Sequence, residues 1–383
     1  TVTAGSISSN TVGANSSSSY GAGVYVGKGC SFEAVSADSE DPIQMNGNKA
    51  QADDYAQTEG GAIYAEGEGT MVTLTGATFE DNRAMSTNAR GGGAVNVADG
   101  VLLNVTDCTF TNNASFLDGY TGPESGGGTF FIDDGCAFTL TNSTITGGKS
   151  RYGGGINLYG SDMTVDISGC TISECVADAA GGYNPCIGGA IFVKASGQST
   201  ISISGTDEHP MTISGNEATQ GGGGVCVLAG TVEMDGVSVT DNESPLGGGI
   251  YVEGDGALTL DGCEVTGNTA SNGAGVYTNG DLNIIDTAID DNSATVAAGG
   301  VYSEGAVTLT SGSISGNTAP EAAGVAVVSH TFDMNDGSIA NNIASGMAGG
   351  VENLGTFTMN GGDITGNQAN GAGDGIGGGV ANL

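Results

Sequence analysis

A four-residue element, made of an aliphatic residue, two further residues and an asparagine, recurs along this chain at nearly constant spacing. It reads ITGN where it ends at Asn367. The same element ends at Asn216, Asn242, Asn268, Asn292, Asn317 and Asn342. From Asn216 to Asn367 the sequence numbers of these asparagines increase by 26, 26, 24, 25, 25 and 25. A fixed period of this length is typical of proteins in which each repeat stacks on the next.

Each repeat contains three short runs in which apolar and polar residues alternate. The first run follows a glycine cluster, and the second has paired apolar positions such as Leu258 and Leu260. The third contributes one apolar residue three places before the asparagine, such as Ile289. The first aliphatic position of the first run is filled by Val24, Ile63, Val95, Phe130, Ile156, Ile191, Val225, Ile250, Val276, Val301, Val325 and Val351. A column this uniformly apolar is expected to face inward.

These alternating runs predict an all-β fold. Period-two alternation over a few residues indicates a β-strand, and a unit of three short strands cannot bury its own apolar side. Stacking the units buries that side and pairs each strand in parallel with its copies in the neighbouring units. The sequence therefore predicts a three-faced parallel β-helix (β-solenoid) of about 13 coils, about 25 residues per coil, rising about 4.8 Å per coil.

The recurrent asparagine has two interpretations. Stacked asparagine side chains can hydrogen-bond along the axis of the solenoid at one corner of each coil. Alternatively, asparagine is there because it tolerates a left-handed turn conformation. Upstream of Asn216 the column continues through Asn10, Asn48, Asn82, Asn113, Gly148 and Cys175, with longer steps, so that the repeat covers the whole chain.

Residues 1–383 are expected to form one β-helix domain. Within it, residues 1–215 carry long insertions, and residues 216–383 form regular coils with a period of 24–26. The insertions before glycine clusters are 14–21, 50–59, 84–90, 115–125 and 177–188, and two further ones are 36–42 and 204–210. Stacked coils place the first five along one edge. They are either a binding face, as is common in solenoids, or tolerated surface loops.

The charge of the chain excludes several classes of partner. The net charge is −36, and no Lys or Arg occurs from Ala195 to Leu383. Phosphate binding requires clustered cations, so nucleic acid and anionic membrane surfaces are not expected partners. No stretch reaches the roughly 20 consecutive apolar residues of a membrane helix, so direct membrane insertion is not expected.

The eight cysteines form no CxxC pair of the zinc-binding type. A disulfide between Cys175 and Cys186 is one interpretation, and it would require an oxidising compartment. The other is that the cysteines are buried thiols that pack as small hydrophobic side chains.

Two alternating motifs resemble those of a known protein family. GGAI at Gly60–Ile63 and GGAV at Gly92–Val95 alternate with FEDN at Phe79–Asn82 and FTNN at Phe110–Asn113. These motifs resemble the repeats of polymorphic outer-membrane proteins and are similar to β-helical adhesin-like surface proteins of bacteria and archaea. The resemblance implies a right-handed parallel β-helix outside the cell or on its surface, used for adhesion or surface architecture. It extends over all coils in weakened form, because most units read GGGV or GAGV.

Tyrosines are the candidate ligand or lateral contacts. The position after the first inward residue is expected to face out, and it holds Tyr25, Tyr64, Tyr251, Tyr277 and Tyr302. An exposed ladder of tyrosines could stack on sugar rings or on a neighbouring molecule, or it could simply stabilise the sheet through cross-strand pairs. The insertions add Tyr55, Tyr120 and Tyr183, and glycans or surface proteins of a host or the environment are the partners considered.

No catalytic, cofactor or metal site is predicted. The acidic pairs Asp53–Asp54, Asp133–Asp134 and Asp290–Asp291 occur without a calcium-binding motif, and solvated turn carboxylates are the favoured interpretation. Acid and base could meet on adjacent coils only where Asp133 and Asp134 approach Lys149 and Arg151. Polysaccharide-cleaving enzymes occur on this architecture, but a non-enzymatic role is favoured.

The two extremes of the sequence fit together as one coil. The step from Asn367 of one copy to Asn10 of a following copy would be 26, which is one period of the repeat. Leu383 would then take the place of Phe357, Val2 that of Met359 and Ile7 that of Ile364. The interface residues are Thr1, Val2, Ile7, Asn10, Ile376, Val380 and Leu383. An excised segment of a longer solenoid predicts the same match.

Two functions are carried forward. The first is an extracellular structural subunit that forms filaments by end-to-end stacking on itself, head to tail. The second is a cell-surface adhesin that binds a glycan or a protein through the loops of residues 1–215 and the tyrosine ladder. Both place the chain outside a bacterial or archaeal cell.

Overall fold

The computed structural model describes residues 1–14, 18–36, 40–52, 57–85, 88–89, 91–116, 126–178, 187–371 and 376–383. The chain divides into two compact units, Thr1–Met211 and Thr212–Leu383, called unit 1 and unit 2 below. In both units the described strands pair in parallel with those of adjacent coils, which confirms the predicted all-β parallel β-helix. No helix long and apolar enough to cross a membrane occurs among the described residues. The single domain over residues 1–383 stays a prediction.

Unit 1 repeats the three predicted strands in each coil. The first strands are Val24–Val26, Ile63–Glu66, Val95–Ala98, Phe130–Ile132, Ile156–Ser161 and Ile191–Ser196. The second strands are Ser31–Val35, Met71–Thr75, Leu102–Thr106, Ala137–Thr141, Thr164–Ser168 and Thr200–Ser204. The third strands are Ile43–Gln44, Ala77–Glu80, Thr109–Thr111, Thr144–Thr146 and Thr171–Ser173. Val95 is in register with both Ile63 and Phe130, as the common inward column requires.

Unit 2 follows the same plan, and in its first coils the first two strands run together. Val225–Asp235 and Ile250–Asp261 each contain both the first and the second strand of their coil. The other first strands are Val276–Thr278, Val301–Ser303, Val325–Val327, Val351–Asn353 and Val380–Asn382. The remaining second strands are Asp281–Ile285, Val307–Leu309, Thr331–Met334 and Thr356–Met359. The third strands are Val237–Thr240, Glu264–Thr266, Thr287–Asp290, Gly312–Ser315, Ser338–Ala340 and Asp363–Thr365, and Met211–Ser214 lies at the division between the units.

Most coils also have a fourth short strand that the sequence did not predict. It follows the recurrent asparagine and is called the corner strand. In unit 1 the corner strands are Thr11–Ala14, Lys49–Ala52, Arg83–Met85, Ala114–Phe116, Lys149–Ser150 and Val176–Ala177, and Ser19–Tyr20, Gln57–Glu59 and Asn88–Ala89 form a further small sheet. In unit 2 they are Glu217–Ala218, Thr269–Asn272, Ser293–Ala297, Thr318–Ala319, Ile343–Ala344 and Gln368–Ala369. Their single buried residue is usually alanine, which gives too weak an alternation to mark a strand.

The core lies inside the coils and is built from the predicted inward columns. From Ile63 to Val351, the residues at the first aliphatic position are fully buried. In unit 1 the core holds a continuous stack of aromatic rings. Phe79, Phe110 and Phe130 follow one another with 4.7 Å between ring centroids, and Phe138 lies 5.1 Å beyond Phe130. Aromatic pairs at such distances stabilise a core beyond the area that they bury.

Candidate functional site

The asparagines of unit 2 form a continuous hydrogen-bonded ladder along the axis. In each step the backbone N–H and the side-chain Nδ2 of one asparagine both donate to Oδ1 of the asparagine in the next coil, over 2.9–3.1 Å. From Asn242 onward, Nδ2 also donates to the carbonyl of an apolar third-strand residue of the preceding coil, for example from Asn268 to Val239 over 2.9 Å. Each buried amide thereby finds partners on both sides.

The ladder decides between the two interpretations of the recurrent asparagine. Positive φ angles are found at the residue before it, as at Asp241 with 55° and Asp291 with 55°, and not at the ladder asparagine itself. The axial hydrogen-bond interpretation is therefore confirmed, and the left-handed-turn interpretation is wrong. In unit 1 the same ladder joins Asn10, Asn48, Asn82 and Asn113.

The tyrosine ladder exists in unit 2, but it is not exposed. Tyr251, Tyr277 and Tyr302 stack with ring centroids 4.9 and 4.8 Å apart. Tyr251 and Tyr277 are nevertheless buried, at 3% and 8% exposure, and Tyr302 is half-buried. In unit 1 Tyr64 is buried too, and among the five ladder tyrosines only Tyr25 is exposed. The prediction that this aromatic ladder is exposed is wrong for these buried rings.

The turn before the strand of Tyr277 packs against this column of tyrosines. A methyl group on Gly273, in this turn, would lie 3.0 Å from Cα of Tyr277 and from Cβ of Tyr302. The buried hydroxyl of Tyr64 donates to Glu66 Oε2 over 2.9 Å. Burial, together with the nearby Glu253, raises the pKa of Tyr251 far above its usual value. This face of the first strands is therefore a second packed layer rather than a contact surface.

The loop residues Tyr55, Tyr120 and Tyr183 lie outside the described residues, as do Arg90, Cys186 and the pair Asp53–Asp54. Of the two insertions between second and third strands, 204–210 is described throughout. His209 is exposed there, and its backbone N–H donates to Thr206 Oγ1 over 3.1 Å, as expected for a solvated turn.

Unit 2 has an open groove on its corner strands that no sequence pattern predicted. Its volume is about 430 Å³. The exposed carboxylates of Glu217 and Glu243 line it in adjacent coils, which meet in parallel at these two residues. Thr269 and Thr295 add hydroxyl groups from the next two coils, and the buried Ala270 forms part of the floor.

Two strands of unit 2 leave core-type side chains uncovered. They are the second strand Thr356–Met359 and the first strand of the following coil, Val380–Asn382. Met359, Val380 and Leu383 are 46%, 40% and 59% exposed. Met334 and Val351, which occupy the columns of Met359 and Val380 one coil earlier, are fully buried. We call the surface formed by Met359, Val380 and Leu383 the open coil face.

A comparison with protein families shows to which family this chain belongs. Residues 2–182 and 154–343 match the family described as the right-handed beta helix region. The chain belongs to the right-handed β-helix family. No match was found among curated proteins or among solved structures. The match supports the family and the handedness implied by the resemblance, whereas the repeats particular to polymorphic outer-membrane proteins are not shown.

Right-handed β-helix proteins include both polysaccharide-degrading enzymes and structural proteins of the cell surface. In this member Asp134, one acid of the set considered as catalytic, is engaged by a serine. Asp134 Oδ1 accepts from the backbone N–H and the hydroxyl of Ser161 over 2.6 and 2.8 Å. Lys149 lies on a corner strand. Among the described residues no hydrogen bond or ion pair joins Asp134 to Lys149 or Arg151.

The pair Asp290–Asp291 is also accounted for by local structure. Asp290 Oδ1 accepts from the backbone N–H and the hydroxyl of Ser315 in the next coil, over 2.8 and 2.9 Å. Asp291 has a φ of 55° and is exposed in the turn before the ladder asparagine. Carboxylates used in this way stabilise the stacking of coils.

The cysteines of this β-helix are mostly buried thiols. Cys175, which was a candidate for a disulfide with Cys186, is a thiol whose pKa is raised to about 12 by complete burial, so that disulfide is not formed. Cys108 and Cys170 belong to a second axial column, in which Sγ accepts backbone N–H groups from Ala77 and Ser143 over 3.4 Å. Cys226 is bonded in a disulfide.

We expect the buried thiols to resist alkylation. Burial raises the pKa of Cys108, Cys170 and Cys263 to about 11, whereas the pKa of a cysteine thiol in an unfolded chain is about 8.5. At pH 8, peptide mapping after iodoacetamide treatment should show modification at the exposed Cys30 and almost none at these three. Their modification should increase as the pH approaches 11, and the stability that the thiol form contributes should be lost over the same interval. Rapid alkylation of Cys108 at pH 8 in the folded protein would contradict this assignment.

Proposed function

We propose that this β-helix is an extracellular structural protein that forms filaments by stacking the open coil face of one copy on the coil containing Val2 and Ile7 of the next. Membership of the family supports a surface or structural protein in general. The observation that carries the finer proposal is the contact that joins successive coils of unit 2, which consists of parallel strand pairing and the asparagine ladder, because a coil of a second copy can repeat that contact. Uncovered strand edges and core positions of a solenoid favour pairing with another coil.

The opposite surface has the complementary register. Val2 pairs in parallel with Ala34, and Ile7 donates its backbone N–H to the carbonyl of Gln44, which places both residues in the inward columns of second and third strands. Both are half-buried in the single copy, and Ile376, next to the open coil face, is 42% exposed. Placing Val2 and Ile7 of the next copy in one coil with Val380 and Leu383, against Met359, would complete that coil and bury apolar surface, at roughly 25 cal/mol per Å².

The asparagine ladder can continue across the same contact. In every internal step an asparagine donates to Oδ1 of the asparagine in the next coil. By the pattern of the internal steps, the backbone N–H of Asn367 is the donor and Oδ1 of Asn10 the acceptor that a ladder step between two copies would use. A head-to-tail contact would thus use the hydrogen bond that already joins the coils.

Localisation outside the cell is part of this proposal. The disulfide at Cys226 is a bond that persists in oxidising compartments. The acidic net charge of −36 favours solubility of the single copy and opposes association at low ionic strength. We therefore expect assembly to increase as salt screens the charges, with a screening length of about 8 Å at physiological ionic strength.

The test is a point substitution on the open coil face. Val380→Asp should abolish concentration-dependent assembly, measured by sedimentation velocity and electron microscopy, because it places a charge in the contact. Val296→Asp is the matched control, since Val296 is 52% exposed on the corner strand Ser293–Ala297 of unit 2, away from that face. Particles that are monomeric at every concentration and salt level, or filaments formed equally well by Val380→Asp, would overturn the proposal.

The adhesin alternative loses one of its two supports. It rested on the loops of residues 1–215, whose tyrosines lie outside the described residues, and on an exposed ladder, of which Tyr64, Tyr251 and Tyr277 are buried. We do not propose binding of glycans or surface proteins through that ladder.

A further inference from the structure

The groove of unit 2 arises from differences in coil length on the corner side. Gly222 and Ala298 follow their ladder asparagines, Asn216 and Asn292, by six positions. In the two coils between them, the corresponding residues with positive φ are Gly247 and Gly273. These follow their ladder asparagines, Asn242 and Asn268, by five positions. The longer coils project, as the 52% exposure of Val296 shows, and the two shorter coils form a depression between them.

The floor of the depression is made of small side chains. Ala218 and Ala270 line it and are buried in one column of the corner strands. The volume of about 430 Å³ lies within the range of roughly 300–1,000 Å³ typical of small-molecule sites. A space two coils wide, about 10 Å, fits a group of the size of a sugar ring rather than a long polymer.

The chemistry of the walls selects a cationic ligand that carries hydroxyl groups. Glu217 and Glu243 stand in adjacent coils, so that their carboxylates line one wall about 5 Å apart along the axis. No Lys or Arg occurs in unit 2, so no basic side chain of this unit neutralises them. Hydroxyls of Thr269, Ser271 and Thr295 complete the lining and can both donate and accept hydrogen bonds.

We propose that this groove binds a hexosamine with a free, protonated amino group. The ammonium group would lie between Glu217 and Glu243, and the ring hydroxyls would hydrogen-bond to the threonine and serine hydroxyls. Ala270 and Pro245 would contact the C–H face of the ring. The site is separate from the open coil face, so it does not depend on whether the protein forms filaments.

The probe is glucosamine, titrated into the protein at low salt and followed by NMR of methyl-labelled alanine and threonine. Ala270 and Thr295 should shift on binding, whereas glucose and N-acetylglucosamine, which have the same ring without the ammonium charge, should bind at least about tenfold more weakly. Hydrogen bonds to charged groups contribute about 1.5–3 kcal/mol each, equivalent to roughly one to two decades in affinity.

Glu243→Gln should weaken glucosamine binding by about tenfold or more and should abolish the preference over glucose. Glu264→Gln is the matched control, because Glu264 is also an exposed acid and lies on a third strand of unit 2, outside the groove. The proposal would be overturned if both variants lost glucosamine binding equally, or if the wild type bound glucose as tightly as glucosamine. It would also be overturned if trilysine bound more tightly than glucosamine and this binding required Glu243. Circular dichroism and thermal unfolding of both variants confirm that any loss is not due to unfolding.

Discussion

Replacing Asn268 by alanine is expected to lower the free energy of unfolding by about 3 kcal/mol or more, because three buried polar groups lose a partner at about 1–3 kcal/mol each. The substitution removes Oδ1, which accepts the backbone N–H and Nδ2 of Asn242 over 2.9 and 3.0 Å. It also removes Nδ2, which donates to the carbonyl of Val239 over 2.9 Å. Chemical denaturation of the wild type and the variant measures the difference.

Asn360→Ala is the control for this prediction. Asn360 is exposed, and its Nδ2 donates to Oδ1 of Asn335, another asparagine one coil earlier, over 2.9 Å. Water can replace that partner, so a change below about 0.5 kcal/mol is expected. If Asn268→Ala destabilised the protein no more than Asn360→Ala does, the ladder would not be a source of stability.

Replacing Tyr277 by alanine should cost about 3–5 kcal/mol, as is usual for deletion of a buried aromatic ring. Its ring stacks between those of Tyr251 and Tyr302 at 4.9 and 4.8 Å, and burial and the nearby Glu304 carboxylate raise the pKa of its hydroxyl. Tyr277→Phe keeps the ring stack and removes only the hydroxyl, so it should cost at most about 1.5 kcal/mol, the upper net value of one hydrogen bond. Thermal and chemical unfolding of the two variants separates packing from hydrogen bonding.

Tyr25→Ala is the control for Tyr277→Ala. The two variants together distinguish tyrosines that stabilise the fold from tyrosines that form a contact surface. Tyr25 occupies the same column in unit 1 but is 53% exposed, so its removal should cost about 1 kcal/mol or less. If Tyr277→Ala were as mild as Tyr25→Ala, the tyrosines of unit 2 would be better explained as a binding surface, and their packed position would be wrong.

The repeat made most of the fold predictable. Val276 and Val301 stand at the same position of successive units, and a uniformly apolar column has one physical outcome, burial against its copies. The same reasoning predicted the ladder at Asn292 and Asn317, although it could not separate an axial hydrogen bond from a turn preference, because both select asparagine.

The outer layer could not be predicted in the same way. Strand alternation assigns Tyr251 to the outward side, and it does face away from the core inside the coil. Alternation carries no information about what covers that side. The turn at Gly273 packs against Tyr302, and this is a contact between residues of adjacent coils. The buried tyrosines and the groove at Glu243 both follow from how the turns pack, which the period does not encode.

The sequence by itself determined the period, the inward columns and the parallel stacking, because burial of a repeated apolar side allows few other solutions. The tertiary structure decided which outward residues are covered, since coil lengths that differ by one residue between Asn216 and Ala298 create projections and a depression. It also decided the role of Asn268, whose amide is satisfied by groups that stand 24, 26 and 29 residues away in the chain. Partners this remote in sequence are brought together by stacking, and stacking is a property of the folded coils.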